Sequence, residues 1–131
     1  MSQEHRHSNT SISLINYHFV WIPRRRRPVL KGTVAKRLKV LLQEKAKELN
    51  IKIISLKIQP DHVHLFINCL PTLAPYQIAF RLKGFTARIL RKEFPVLMRL
   101  PSMWTTSYFV STAGNVSSET IRKYIEAQSK K

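Results

Sequence analysis

Two histidines stand one residue apart in the run Pro60-Asp61-His62-Val63-His64-Leu65-Phe66-Ile67. Side chains alternate across a strand, so His62 and His64 share one face, about 6.6 Å apart along the chain, and Val63, Leu65 and Ile67 take the other. Two imidazoles on one face can grip one metal ion; the plainer reading is a pair of hydrogen-bonded core histidines. Asp61, immediately before them, is a carboxylate placed to orient a histidine ring from behind. Near the C-terminus, Tyr124 and Gln128 are one helical turn apart and project from one side, next to Ile121 and Ile125, which would dock the helix. A tyrosine there either packs or acts as a nucleophile. A phenol of pKa about 10 attacks poorly unaided and needs a metal or nearby cations. His62, His64 and the Gln128 amide oxygen are available as ligands, with Arg122 and Lys123 alongside.

The elements that must position these groups follow from periodicity. Ser13 to Ile22 (SLINYHFVWI) reads as a first strand, with Tyr17, Phe19 and Trp21 on one face and His18, Val20 and Ile22 on the other. Pro23 ends it. Thr33 to Leu49 carries a helical apolar stripe and Asn50 is its stop. Ile51 to Ile58 is a second strand, joined by the Gln59-Pro60-Asp61 turn to the histidine strand as an antiparallel hairpin. Tyr76 to Phe94 is a second helix with Ile78, Leu82, Phe85 and Ile89 on one face, broken by Pro95 to Pro101. Trp104 to Thr112 (WTTSYFVST) reads as a fourth strand, and Ala113-Gly114-Asn115 as a turn. Ser117 to Gln128 is a capped terminal helix. The order β-α-β-β-α-β is that of an α+β, ferredoxin-like or RRM-like antiparallel sheet, with the histidine strand central and an added C-terminal helix carrying Tyr124.

Composition bounds the partners. Across 131 residues, 23 Lys and Arg against 7 Asp and Glu give a net charge of +16, which selects a polyanion, nucleic acid before acidic membrane. An apolar content of 44% places that charge on a folded surface, and the length suits one domain, residues 1–131, with 1–10 as a tail. The His5-Arg6-His7 pair lies in that tail without apolar strand residues around it. Arg24 to Arg27 form a run closed by Pro28, and Arg81, Arg88 and Lys92 fall within about 40° of one another on the second helix; both are candidate phosphate contacts or ordinary solvated surface. One cysteine, Cys69, excludes an internal disulfide, and the apolar run Ile12 to Ile22 is too short to span a bilayer and lacks a cleavage site, so a soluble cytoplasmic protein is expected. A single Asp and scattered Glu argue against a carboxylate-triad nuclease. The three glycines, Gly32, Gly84 and Gly114, are too dispersed for a phosphate loop, so no nucleotide cofactor is expected. A non-catalytic RRM-like single-stranded nucleic-acid-binding domain shares the strand order and charge, but Val63 to Ile67 lacks that module's aromatic run.

Taken together, Tyr17-His18-Phe19-Val20-Trp21, Pro60-Asp61-His62-Val63-His64-Leu65-Phe66, Lys83-Gly84 and the stretch Gly114 to Gln128 resemble single-tyrosine HUH transposases of the insertion-sequence 200/605 type over nearly the whole chain. The resemblance implies a homodimer that recognises DNA hairpins at the ends of a mobile element. It would cut and rejoin single-stranded DNA through a 5′-phosphotyrosine. Under it Tyr124 is the nucleophile, His62 and His64 hold Mg²⁺ or Mn²⁺, and Gln128 is the third protein ligand. Ligand type alone would equally suit Zn²⁺. DNA contacts are then expected from Arg24, Arg25, Arg26, Arg27, Arg81, Lys83, Arg88, Lys92, Arg122 and Lys123. The four-arginine run departs from the mixture of Lys, Tyr and Arg common in that family. Tyr124 is expected to serve the partner's histidines, with a hinge near Gly114.

Overall fold

The computed structural model describes residues 14–112 and 118–128. Seven elements follow in order: β1 (Ile15–Trp21), α1 (Gly32–Glu48), β2 (Lys52–Gln59), β3 (His62–Cys69), α2 (Pro75–Glu93), β4 (Phe109–Ser111) and α3 (Ser118–Ala127), with single 3-10 turns at Arg24–Arg26 and Pro95–Arg99. The strands form one antiparallel sheet in the order β2-β3-β1-β4, so the histidine strand is central, as its apolar composition requires. His5, His7 and the Gly114-Asn115 turn lie outside the described residues.

The register sets the two faces. Trp21 opposes Val63 and Phe19 opposes Leu65, and these side chains pack with Leu38, Leu41 and Leu42 of α1 and Ile78, Leu82 and Leu90 of α2 into the main core. Val20 opposes His64 and His18 opposes Phe66 on the other face. There a smaller apolar cluster joins Val20 and Ile22 to Ile121 and Ile125, so α3 covers part of the face that carries the histidines. The sheet therefore separates two helical layers: α1 and α2 on one side, α3 on the other.

Local signals account for most boundaries. Asn50 adopts φ 57°, the left-handed conformation that ends α1, and α2 stops at Glu93 because Pro95 restricts the residue before it. The buried stripe of α2 runs through Ile78, Ala79, Leu82, Thr86 and Leu90; Phe85 and Ile89 are only partly covered, so the helix is turned slightly from the expected face.

The fourth strand is shorter than its composition predicts. Only Phe109–Ser111 pairs with β1, and Trp104 makes one isolated bridge to Pro23. Between them the backbone turns toward α2, because Lys83 draws in three successive carbonyls: its Nζ donates to Thr105 O (2.7 Å), Thr106 O (3.2 Å) and Ser107 O (3.0 Å). Trp104 anchors the same stretch in the core, its Nε1 donating to Thr86 Oγ1 at 3.1 Å and its ring standing edge-on to Trp21. A charge-assisted contact thus replaces ladder hydrogen bonds that β-branched residues alone would favour.

Candidate active site

His62 and His64 project from β3 into a cavity of about 470 Å³, whose walls include Arg26, Lys57, Asp61, Ile121, Arg122 and Glu126. Behind His64 stands a third imidazole. His18 stacks on it at 4.7 Å between ring centroids and on Phe66 at 4.8 Å, forming a column across β1 and β3. Burial, followed by the neighbouring His18, His62 and Lys57, pushes the His64 pKa down to about 4. The ring is therefore neutral at pH 7, and its buried Nε2 has no hydrogen-bond partner among the described residues. A neutral imidazole with an unengaged nitrogen is the state a metal ligand requires.

His62 is held differently. Its Nδ1 lies 3.0 Å from Asp61 Oδ1, and Asp61 Oδ2 accepts from Arg26 Nε at 3.0 Å. Burial raises the Asp61 pKa, but the hydrogen bonds from His62 and Arg26 outweigh it, and the carboxyl ends below its ordinary value. An ionised Asp61 accepting from Nδ1 leaves Nε2 of His62 as the nitrogen for a ligand. Two imidazoles, one neutral by burial and one oriented by a carboxylate, fit a divalent cation. Among the described residues no group of three or more His, Cys, Asp or Glu is close enough to complete its coordination.

The terminal helix brings its apolar flank, not its tyrosine, to this cavity. Ile121 and Ile125 face the histidine side, while Tyr124 and Gln128 lie on the flank toward β4. Both are engaged by one hydroxyl: Ser107 Oγ donates to Gln128 Oε1 at 2.9 Å and lies 3.2 Å from Tyr124 Oη. Ser107 has one proton, so the tyrosine must donate to it. Burial raises the Tyr124 pKa, and its hydrogen bonds with Ser107 and Thr105 offset this only in part. In this arrangement Tyr124 is a phenol, and Gln128, 7% exposed, has its amide oxygen occupied by Ser107 rather than directed at His62 and His64. The expected i, i+4 pairing of Tyr124 and Gln128 is present, and within this chain both are held by Ser107 rather than by His62 and His64.

The basic residues divide into engaged and exposed groups. Arg24 donates to Ser102 Oγ at 3.0 Å and Arg26 is paired with Asp61, while Arg25 and Arg27 are exposed. Lys83, expected on DNA, commits all three ammonium donors to the carbonyls of residues 105–107. Burial pushes its pKa down to about 8, which still leaves it mostly protonated at neutral pH. It braces the segment that carries Ser107. Arg81, Arg88 and Lys92 are exposed as expected but belong to the α1 and α2 layer, on the opposite side of the sheet from His62 and His64. Arg122 and Lys123 make surface ion pairs with Glu119 and Glu126 that solvent renders weak. Three residues of this site went unassigned in the sequence: His18, Lys57 and Ser107. The alternation of β1 placed His18 with Val20 and Ile22, but only the β1-β3 register sets it beside His64 and only the β2-β3 register sets Lys57 opposite His64.

Comparison with known proteins identifies the family. Residues 11–128 match the family model described as "Transposase IS200 like". The ISDra2 transposase TnpA of Deinococcus radiodurans is 33% identical over 117 residues, covering 87% of this chain and 84% of that protein. The transposase for insertion sequence element IS200 of Salmonella typhimurium is 26% identical over 115 residues, covering 86% and 75%. A crystal structure of a Deinococcus radiodurans R1 protein described as a transposase superposes with a TM-score of 0.87 at 29% identity, covering 95% of this chain and 98% of that one. At the level of fold alone, a REP-associated tyrosine transposase solved bound to a REP hairpin gives a TM-score of 0.55 at 16% identity, covering 98% and 70%.

Proposed function

The chain belongs to the IS200-like transposase family, and from that premise we propose that it cleaves and rejoins single-stranded DNA through a covalent phosphotyrosine on Tyr124, assisted by a divalent cation on His62 and His64. The observation that carries this reading is the cavity on the exposed side of β3. It presents one neutral, unengaged imidazole and one carboxylate-oriented imidazole beneath α3, the helix that also carries Tyr124.

In the reaction, the Tyr124 oxygen attacks the scissile phosphorus, its bond to the 5′-phosphate forms, and the bond to the 3′-oxygen breaks. The phenol proton passes to solvent, and the departing 3′-oxygen takes up a proton from solvent to become the free 3′-hydroxyl. The phosphodiester energy stays in the tyrosyl link, so a second 3′-hydroxyl can reverse the step at a new junction. Mg²⁺ or Mn²⁺ on His62 and His64 would polarise the phosphate and stabilise the leaving oxygen. Lys57 and Arg122 supply positive charge around the cavity for the strand being cut. The hairpin-bound relative of the same fold supports hairpin DNA as the substrate form.

A homodimer with composite sites accommodates the position of Tyr124. Its flank of α3 faces β4, an edge strand of three residues, and away from the chain's own histidines. The α2 residues Tyr76 and Phe80, 64% and 77% exposed, offer apolar surface for a second copy. Across such an interface Tyr124 and Gln128 of one protomer would serve His62 and His64 of the other, joining two DNA ends with one nucleophile each.

The test is incubation with a hairpin-bearing oligonucleotide from the element's end, followed by a denaturing gel. A covalent band with wild type, lost with chelator and lost in Tyr124→Phe while hairpin binding persists, is expected. Binding with no covalent species under any metal condition would leave a nucleic-acid-binding domain and refute the reading.

A further inference from the structure

Four consecutive arginines ordinarily splay into solvent under mutual repulsion. Here the run is folded into a turn with two successive residues in the left-handed region, Arg25 at φ 57°, ψ 23° and Arg26 at φ 55°. Side chains disfavour that conformation, and its retention at two neighbours needs a compensating fit. The turn is closed by Arg26 N donating to Pro23 O (2.8 Å) and Arg27 N to Arg24 O (3.3 Å). It is pinned on one side by Arg24 N to Met103 O (3.0 Å) and on the other by Leu30 N to Pro60 O (3.0 Å), in the hairpin turn that carries Asp61. The result is a guanidinium delivered 3.0 Å from Asp61 Oδ2, with Asp61 Oδ1 3.0 Å from His62 Nδ1.

We propose that Arg26 is a positioning residue for His62: acting through Asp61, it fixes the imidazole with the proton on Nδ1 and the Nε2 lone pair free for the divalent cation shared with His64. Asp61 follows a proline and is partly exposed, so without Arg26 its carboxylate can rotate into water. Held at Oδ2, it presents Oδ1 to the ring, and the ring orientation follows. The inference rests on the reading that His62 and His64 bind the cation. It also reassigns one arginine of the run from phosphate contact to the architecture of the metal site.

The sign of the effect separates positioning from bulk electrostatics. A cation near a metal site repels the metal, so charge alone predicts that Arg26→Ala tightens Mn²⁺ binding; loss of an orienting partner predicts that it weakens, by about tenfold or more. Arg25→Ala removes the same charge from the same turn without touching Asp61, and Arg26→Lys keeps the charge while replacing the fork with a single point donor. Mn²⁺ affinity is measured by electron paramagnetic resonance on the full chain without DNA. The His62 tautomer is read by long-range ¹⁵N-¹H NMR on the metal-free protein. Expected are weaker Mn²⁺ binding and a shift of His62 toward the Nε2-protonated form in Arg26→Ala, an intermediate result in Arg26→Lys, and an unchanged tautomer with no loss of affinity in Arg25→Ala. Unchanged or tighter Mn²⁺ binding in Arg26→Ala with His62 still protonated on Nδ1 overturns the proposal. Wild-type Mn²⁺ binding indifferent to His64→Ala overturns the metal reading instead, and the tautomer of the metal-free chain then decides the role of Arg26 by itself.

Discussion

Replacing Ser107 with alanine should loosen the terminal helix selectively. Ser107 Oγ is the shared partner of Tyr124 Oη and Gln128 Oε1, and Gln128 is buried. Its removal deletes a bond to each and leaves the amide oxygen without that donor, a loss of about 1–3 kcal/mol. The main opposing anchor is burial of Ile121 and Ile125 against Val20 and Ile22, about 1.5–3 kcal/mol each at most, from which the cost of ordering the helix must be subtracted. A loss of 1–3 kcal/mol is therefore a large part of the net docking energy and raises the undocked population by about 5- to 150-fold. Amide hydrogen exchange reads this directly. Protection over residues 118–128 should fall by that factor while β1 and β3, in the main core, are unaffected. Exchange unchanged in α3, or raised equally throughout the sheet, would refute the role given to Ser107.

Three further outcomes follow from the same geometry. Mixing a Tyr124→Phe chain with a His64→Ala chain in a forced heterodimer should restore one cleavage activity if sites are composite; activity no higher than either homodimer, with DNA bound, would place Tyr124 with its own histidines. Alanine at Arg81, Arg88 and Lys92 should reduce the log-log salt dependence of hairpin affinity by about one unit per lost phosphate contact; an unchanged slope returns that helix face to solvent. Because the Lys83 pKa is lowered on folding to about 8, the unfolded chain binds more protons than the folded one from there up to the ordinary lysine value near 10.5. Lys83 thus makes stability rise with pH across that window, and denaturant titrations of Lys83→Met should lose that upward component.

What was legible in the sequence was local. Alternation in Asp61 to Ile67, the 3.6-residue stripe of α1, Asn50 and Pro95 each act within a few residues, and the elements they specify are present. The stretch 104–112 misled because β-branched propensity competes there with a distant ammonium, and nothing within the stretch announces Lys83 some twenty residues earlier. The arginine run is a similar case. Its composition signals phosphate binding, yet Arg24 and Arg26 are claimed by Ser102 and Asp61, partners that only the folded chain brings near. Helical spacing correctly put Tyr124 and Gln128 on one side of α3. Which neighbour that side meets depends on the docking of Ile121 and Ile125, and docking is not a property of spacing.

The single hydroxyl that touches both Tyr124 and Gln128 bears on the timing of the proposed chemistry. The phenol and the carboxamide are one turn apart on one rigid rod, so they arrive at a histidine pair together or not at all. Two imidazoles alone would, on the proposed mechanism, leave a bound cation short of a protein ligand, and the carboxamide that would supply it comes with the attacking group. On the proposed mechanism, idle metal sites are thereby kept from hydrolysing DNA with water: full activation of the phosphate coincides with the presence of the tyrosine that captures it.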